Sequence, residues 1–118
     1  MKQSIVNEKS KRFAIRVVRL YQYLTETTPR KEYVLSRQML RSGTSIGANV
    51  KEALRGQSVA DYTAKMSIAL KEASETEYWL ELLGETGYLD ERLSVSMLDD
   101  FRELIRMLMS IVKSTNKL

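Results

Sequence analysis

Apolar residues recur every three or four positions along almost the whole of this chain, and nowhere do they alternate long enough to suggest a strand. The most regular run is Tyr62, Met66, Ala69, Ala73, Thr76, Leu80 and Leu83. That spacing places every member on one side of an α-helix, because a turn takes about 3.6 residues. The rhythm returns in Leu93, Met97, Phe101, Leu104, Leu108, Ile111 and Thr115, with Leu98, Ile105 and Val112 in a second line. Leu35, Met39, Ser42, Ile46, Val50 and Ala53 form a third stripe, with Asn49 at its edge. A fourth comprises Ala14, Val17, Val18, Tyr21 and Leu24, widened by Phe13 and Leu20.

Punctuation divides these stripes into four helices, expected at about residues 4–25, 29–56, 59–84 and 90–115. Thr28 before Pro29, the only proline, predicts an N-cap with proline in the first turn. Gly56 is expected to close the second helix, and Ser58 to cap the third with Asp61 three residues on. Gly84 and Gly87 mark the end of the third helix, and Asp90 starts the fourth. Short connections between long helices favour antiparallel neighbours. The expected fold is all-α, an antiparallel up-down-up-down four-helix bundle forming a single domain over residues 1–118.

The 118 residues contain no cysteine and no histidine. Disulfides, thiol catalysis and zinc–thiolate sites are thereby excluded, and the commonest general base is missing. No cofactor is expected. The opening MKQSIVNEKSKRF lacks the apolar run of about 7–15 residues that a signal peptide needs. No segment approaches the ~18 apolar residues of a membrane span. A cytoplasmic protein that does not engage a membrane is the expectation.

The stretch RSGTSIGANVKEA, residues 41–53, combines glycines with hydroxyls and cations, as phosphate-cradling loops do. It lacks the GKS or GKT ending of a P-loop and does not follow a strand. Gly43 and Gly47 lie four residues apart on one flank of the second helix, where missing side chains let another helix come close. Helix packing is therefore the reading for both. Asn49, nearest the core on the polar side, is expected to bridge to Glu77 on the third helix and fix their register.

Charge is unevenly distributed. Residues 1–58 hold 12 Lys/Arg against 4 Asp/Glu, and residues 59–118 hold 7 against 11. Lys2, Lys9, Arg12, Arg16 and Arg19 share one face of the first helix, and Arg37, Arg41, Lys51 and Arg55 a face of the second. Rows of cations at helical spacing suit a phosphate backbone. They equally suit pairing with the acidic second half, and the residues leave both readings open.

Two further patterns point elsewhere. Glu72 with Glu75, and Asp100 with Glu103, form acidic pairs on successive helices. All-α nucleotide pyrophosphohydrolases hold magnesium with a comparable arrangement, so a Mg²⁺-dependent enzyme is an alternative. On the third helix, Ile68, Tyr78, Trp79 and Leu82 lie opposite the main stripe. A helix apolar on two sides should be covered twice, which predicts an oligomer interface there.

The motif SxxxNVxEA, Ser45 to Ala53, followed by DYTAKMSIALKEASETEYWLELL and then GYLDE, resembles the four-helix bundle protein family. Its founding members are encoded by intervening sequences in bacterial 23S ribosomal RNA genes. Gly47 stands where that family usually has a proline. The resemblance implies an antiparallel bundle assembled as a homopentamer, with no enzymatic activity. It extends to the accessory variability determinant protein of diversity-generating retroelements, a basic pentamer that binds nucleic acid and a reverse transcriptase. The combined expectation is a non-catalytic oligomer binding RNA through Lys9, Arg12, Arg16, Arg19, Arg37, Arg41, Lys51 and Arg55. A protein-interaction scaffold without nucleic acid is the alternative.

Overall fold

The computed structural model describes residues 2–116, with side chains from residue 5 onward. Four helices run along its length: α1 (Lys2–Gln22), α2 (Val34–Leu54), α3 (Val59–Glu85) and α4 (Glu91–Thr115). They form a rod of 49 × 20 × 20 Å. Pairings across each seam show that neighbours run antiparallel, because partner numbers fall on one helix as they rise on the other. Gly43 and Gly47 meet Val17 and Ser10; Ser42 and Glu52 meet Thr76 and Lys65. Glu77 and Gly84 meet Arg102 and Ser94, and Lys9 and Arg16 meet Glu103 and Asp100. The seam between α2 and α3 is the most extensive, and that between α1 and α4 the thinnest.

The core follows the stripes. Met66, Ala69, Ala73, Leu80 and Leu83 of α3 share one buried cluster with Met97, Phe101, Leu104, Leu108 and Ile111 of α4, and Thr76 is buried beside them. Phe101 meets Phe13 of α1 with ring centroids 5.8 Å apart. Along α1 and the turn that follows it the buried line is Val6, Ser10, Phe13, Val17, Leu20 and Leu24. Val18 is 38% exposed. One residue past Val17, it is turned about 100° away from a core direction that Val6 and Ser10 help define.

The start of the second helix differs from the sequence expectation. Rather than capping a helix at Pro29, Thr28 closes the preceding one. α1 ends in a π-helical turn over Tyr23–Thr27, whose last N–H, that of Thr28, donates to Tyr23 O at 3.1 Å. The Thr28 hydroxyl lies 3.1 Å from both Leu24 O and Arg30 O, which share its one proton. A residue before proline is driven to extended backbone, and Thr28 has φ −69° and ψ 148°. The chain stays irregular until Glu32 supplies the cap. Its buried carboxylate accepts from Val34 N at 3.2 Å and Ser36 N at 2.8 Å, while Ser36 Oγ donates to its carbonyl. Glu32→Ala is expected to destabilise the fold by about 1–2 kcal/mol, the usual worth of an N-cap side chain. Urea-induced unfolding followed by circular dichroism would measure it.

The other ends follow simpler rules. Ser58 accepts from Asp61 N and Asp90 from Leu93 N, capping α3 and α4. The C-terminus of α3 closes through Gly87 at φ +85°, with Tyr88 N donating to Leu83 O and Gly87 N to Gly84 O. Glycine is favoured there because a Cβ strains that conformation. Gly84 instead lies within α3, where a Cβ would stand 2.6 Å from Ser94 Oγ. Gly56 follows α2 without a positive φ; its missing Cβ leaves room for the Asp61 carboxylate.

Gly43 and Gly47 face α1. A Cβ on Gly43 would lie 2.9 Å from both γ-methyl groups of Val17, and one on Gly47 3.4 Å from the Ser10 carbonyl oxygen. α2 runs as continuous helix through both positions.

Candidate nucleic-acid interface

The two basic stripes meet different fates. On α1, Lys9 pairs with Glu103 of α4. Arg16 pairs with Asp100 at 2.5 Å and donates to Ser96 Oγ at 3.1 Å and Ser96 O at 3.2 Å. Arg12 reaches back one turn to Glu8 at 2.8 Å. Lys9, Arg12 and Arg16 line a cleft of about 240 Å³ whose opposite wall is Asp100 and Glu103. Antiparallel packing brings the acidic side of α4 onto this row of cations. Of the described stripe only Arg19 makes no ion pair, and the side chain of Lys2 lies outside the described residues.

The stripe on α2 points outward. Arg37, Arg41, Thr44, Ala48, Lys51 and Arg55 follow one another at four- and three-residue steps, opposite the buried Met39–Ile46–Ala53 line. Arg41 is drawn sideways to α3, where it pairs with Glu75 and lies 3.4 Å from Glu72. Arg37, Lys51 and Arg55 are exposed and engage no carboxylate among the described residues. Between these cations the surface is low: Ala48 is small, and Thr44 folds its hydroxyl onto Leu40 O at 2.7 Å. Arg37 and Arg55 are eighteen residues apart, about 27 Å along a helix. Near its end, Lys51, Arg55 and Lys65 border an open cleft of about 500 Å³ together with Glu52 and Asp61. Lys65 is 3.4 Å from Glu52, leaving Lys51 and Arg55 as the cleft's unpaired cations.

Asn49 and Glu77 do not meet. With Ser42 opposite Thr76 and Glu52 opposite Lys65, Asn49 is level with the region of Ala69. Glu77 lies about eight residues further along, roughly 12 Å. Asn49 instead donates to Ser45 O at 2.8 Å and Ser45 Oγ at 3.1 Å, and Glu77 lies 3.9 Å from Arg102. The buried polar tie between α2 and α3 is a hydroxyl pair, Thr76 Oγ1 donating to Ser42 Oγ at 2.8 Å. Both residues interrupt otherwise apolar stripes, which is the sequence signal that identifies them.

The acidic pairs are separated as well. Glu72 and Glu75 face α2 and serve Arg41, while Asp100 and Glu103 face α1 and serve Arg16 and Lys9. Among the described residues no three carboxylates are close enough to share a metal ion. On the far side of α3, Ile68 is 41% and Tyr78 55% exposed, whereas Trp79 and Leu82 are half-buried. Trp79 turns toward the core and donates its indole N–H to Glu75 at 3.0 Å, its ring edge-on to Tyr78. No helix among the described residues is long and apolar enough to cross a membrane.

Such an arrangement defines a class: an antiparallel four-helix bundle whose salient surface is a cationic helix face. The chain belongs to the 23S rRNA-intervening sequence protein family, which it matches over residues 2–110. It is similar to a solved structure from Bacteroides thetaiotaomicron, a protein of unknown function from the S23 ribosomal protein family. The two are 51% identical with a TM-score of 0.91, over 96% of this chain and 99% of that one. Among curated proteins none matches.

Proposed function

We propose that this protein is a non-catalytic, cytoplasmic RNA-binding scaffold whose outward α2 face holds the phosphate backbone. The observation that carries this reading is the set Arg37, Lys51 and Arg55, exposed on one helix face without carboxylate partners among the described residues. The small side chains of Thr44 and Ala48 let a sugar–phosphate chain lie close to the helix between them. Lys9 and Arg16 contribute less, since α4 already neutralises them. Arg12 and Arg19 lie on the α4 side of α1, and Arg41 is held by Glu72 and Glu75, so these three also contribute less. Binding of this kind is electrostatic and releases counterions, so affinity should fall linearly in log–log form with salt, with a slope of about −2 or steeper for three or more phosphates. A salt titration with a structured RNA tests it. Affinity indifferent to salt, or absent at low salt, would overturn the reading.

The exposed Ile68 and Tyr78, flanked by Trp79 and Leu82, favour a second contact, with further copies of the same chain. A homo-oligomer, five copies being the expected number, would repeat the α2 face around its surface. Size exclusion with light scattering should then give a multiple of the 13.6 kDa chain mass. A monomer at micromolar concentration would remove this part of the proposal. An oligomer free of nucleic acid and inert to RNA would instead support a protein-only scaffold.

A further inference from the structure

At one end of the rod, the connection between α1 and α2 lies against the turn between α3 and α4. The Arg30 guanidinium sits over the Tyr88 ring, 4.6 Å from its centroid. Tyr88 is held there by the turn at Gly87 and by partial burial against the core. Arg30 itself is exposed. Three residues on, Tyr33 is 51% exposed. Three residues of chain span at most about 11 Å, so the backbones that carry Tyr33 and the Arg30–Tyr88 stack are close neighbours at this end of the rod. Exposed Lys31 lies between them, and neither Arg30 nor Lys31 pairs with a carboxylate among the described residues.

Tyr33 also heads the α2 track. It precedes Arg37 and Arg41 at four-residue steps, which places it on the same outward face. A planar cation backed by an aromatic ring and a second exposed ring, both continuous with a row of cations, is the equipment for holding unpaired bases. Bases stack on aromatic and guanidinium planes while nearby cations take the phosphates. A closed duplex hides its base faces and cannot use such a platform. An acidic peptide would engage the cations but leave the stack idle.

From this juxtaposition we infer that the Arg30–Tyr88 stack and Tyr33 form a subsite for a single-stranded RNA segment, whose unpaired bases stack there while its flanking phosphates continue along α2. The inference rests on the RNA-binding reading and adds the form of RNA that is preferred.

Fluorescence anisotropy with the full chain and two RNAs tests it: a blunt hairpin, and the same hairpin with an unpaired tail of about five nucleotides. The tailed RNA is expected to bind about tenfold more tightly. Tyr33→Ala and Arg30→Lys should each reduce that preference to about twofold or less. Tyr33→Phe keeps the ring and should keep the preference. Photocrosslinking from a thiouridine in the tail to residues 30–33 or 88 in the unaltered protein gives a readout independent of the variants. Blunt and tailed RNAs binding equally well would overturn the subsite while leaving the α2 track intact. The same holds for a tail preference that survives Tyr33→Ala and Arg30→Lys, or for crosslinks confined to other residues. Failure of both RNAs to bind would overturn the RNA-binding reading together with the subsite.

Discussion

Replacing Arg37, Lys51 and Arg55 together by glutamate is expected to weaken RNA binding by more than about a hundredfold at physiological salt. Each lost phosphate contact removes roughly 0.7–0.9 from the log–log salt slope, so three should flatten it by about 2 to 3. Introduced carboxylates would add repulsion to that loss. These side chains are exposed and make no ion pair among the described residues, so the unfolding midpoint should hardly move. Arg16→Glu provides the contrast. It would set a carboxylate against Asp100 and remove the donor to Ser96, weakening the thinnest seam of the bundle. Its main effect should therefore be a lower unfolding midpoint. Filter binding over a salt series, with thermal melts of the same preparations, separates the two. Equal RNA affinity in the triple variant and the unaltered protein would refute the α2 track.

Gly43→Leu is expected to cost about 3 kcal/mol or more and to splay α1 from α2, because overpacking of a tight helix contact forces backbone movement. The first added carbon alone would lie 2.9 Å from two methyl groups of Val17, which is fully buried. Valine is stiff about χ1 and cannot swing aside as a longer side chain could. Glycine within a helix costs about 1 kcal/mol relative to alanine, so its presence is offset by the approach it permits. A second variant sharpens the point. Gly43→Ala should destabilise the native background and cost clearly less in a Val17→Ala background, where the methyl contacts at 2.9 Å are gone and only the residue-17 Cβ at 3.3 Å must give way. Chemical denaturation of the four proteins in this cycle measures the coupling. Additive effects would show that Gly43 and Val17 do not constrain each other.

Much of the bundle was legible because helical periodicity is local. The α3 stripe from Met66 to Leu83 and the α4 stripe from Met97 to Ile111 are buried as their spacing predicts. Ser58 and Asp90 cap where their chemistry suggests. The beginning of α2 departs from its expected place for a local reason: Thr28 can donate as well as accept, and here it donates back to Leu24. Glu32, standing just before the periodic run of α2, carried the signal for the true cap.

The cationic rows were a different matter. Spacing alone placed Lys9, Arg12, Arg16 and Arg19 on one face, and Arg37, Arg41, Lys51 and Arg55 on another. Nothing local distinguishes a face that will meet carboxylates from one that will meet solvent. Antiparallel assembly made that choice, bringing α4 to the cations of α1 and leaving α2's row outside. Register, likewise, decided that Asn49 misses Glu77 while Ser42 finds Thr76. The contact between Arg30 and Tyr88 spans fifty-eight residues of sequence and follows from two loops sharing one end of the rod. By itself, then, the sequence determined the helices, their buried sides and most of their ends, since these depend on interactions within a few turns. Which charges remain available, which polar groups meet and where aromatic and cationic groups converge were decided by tertiary packing, because these properties belong to pairs of surfaces brought together only when the bundle closes.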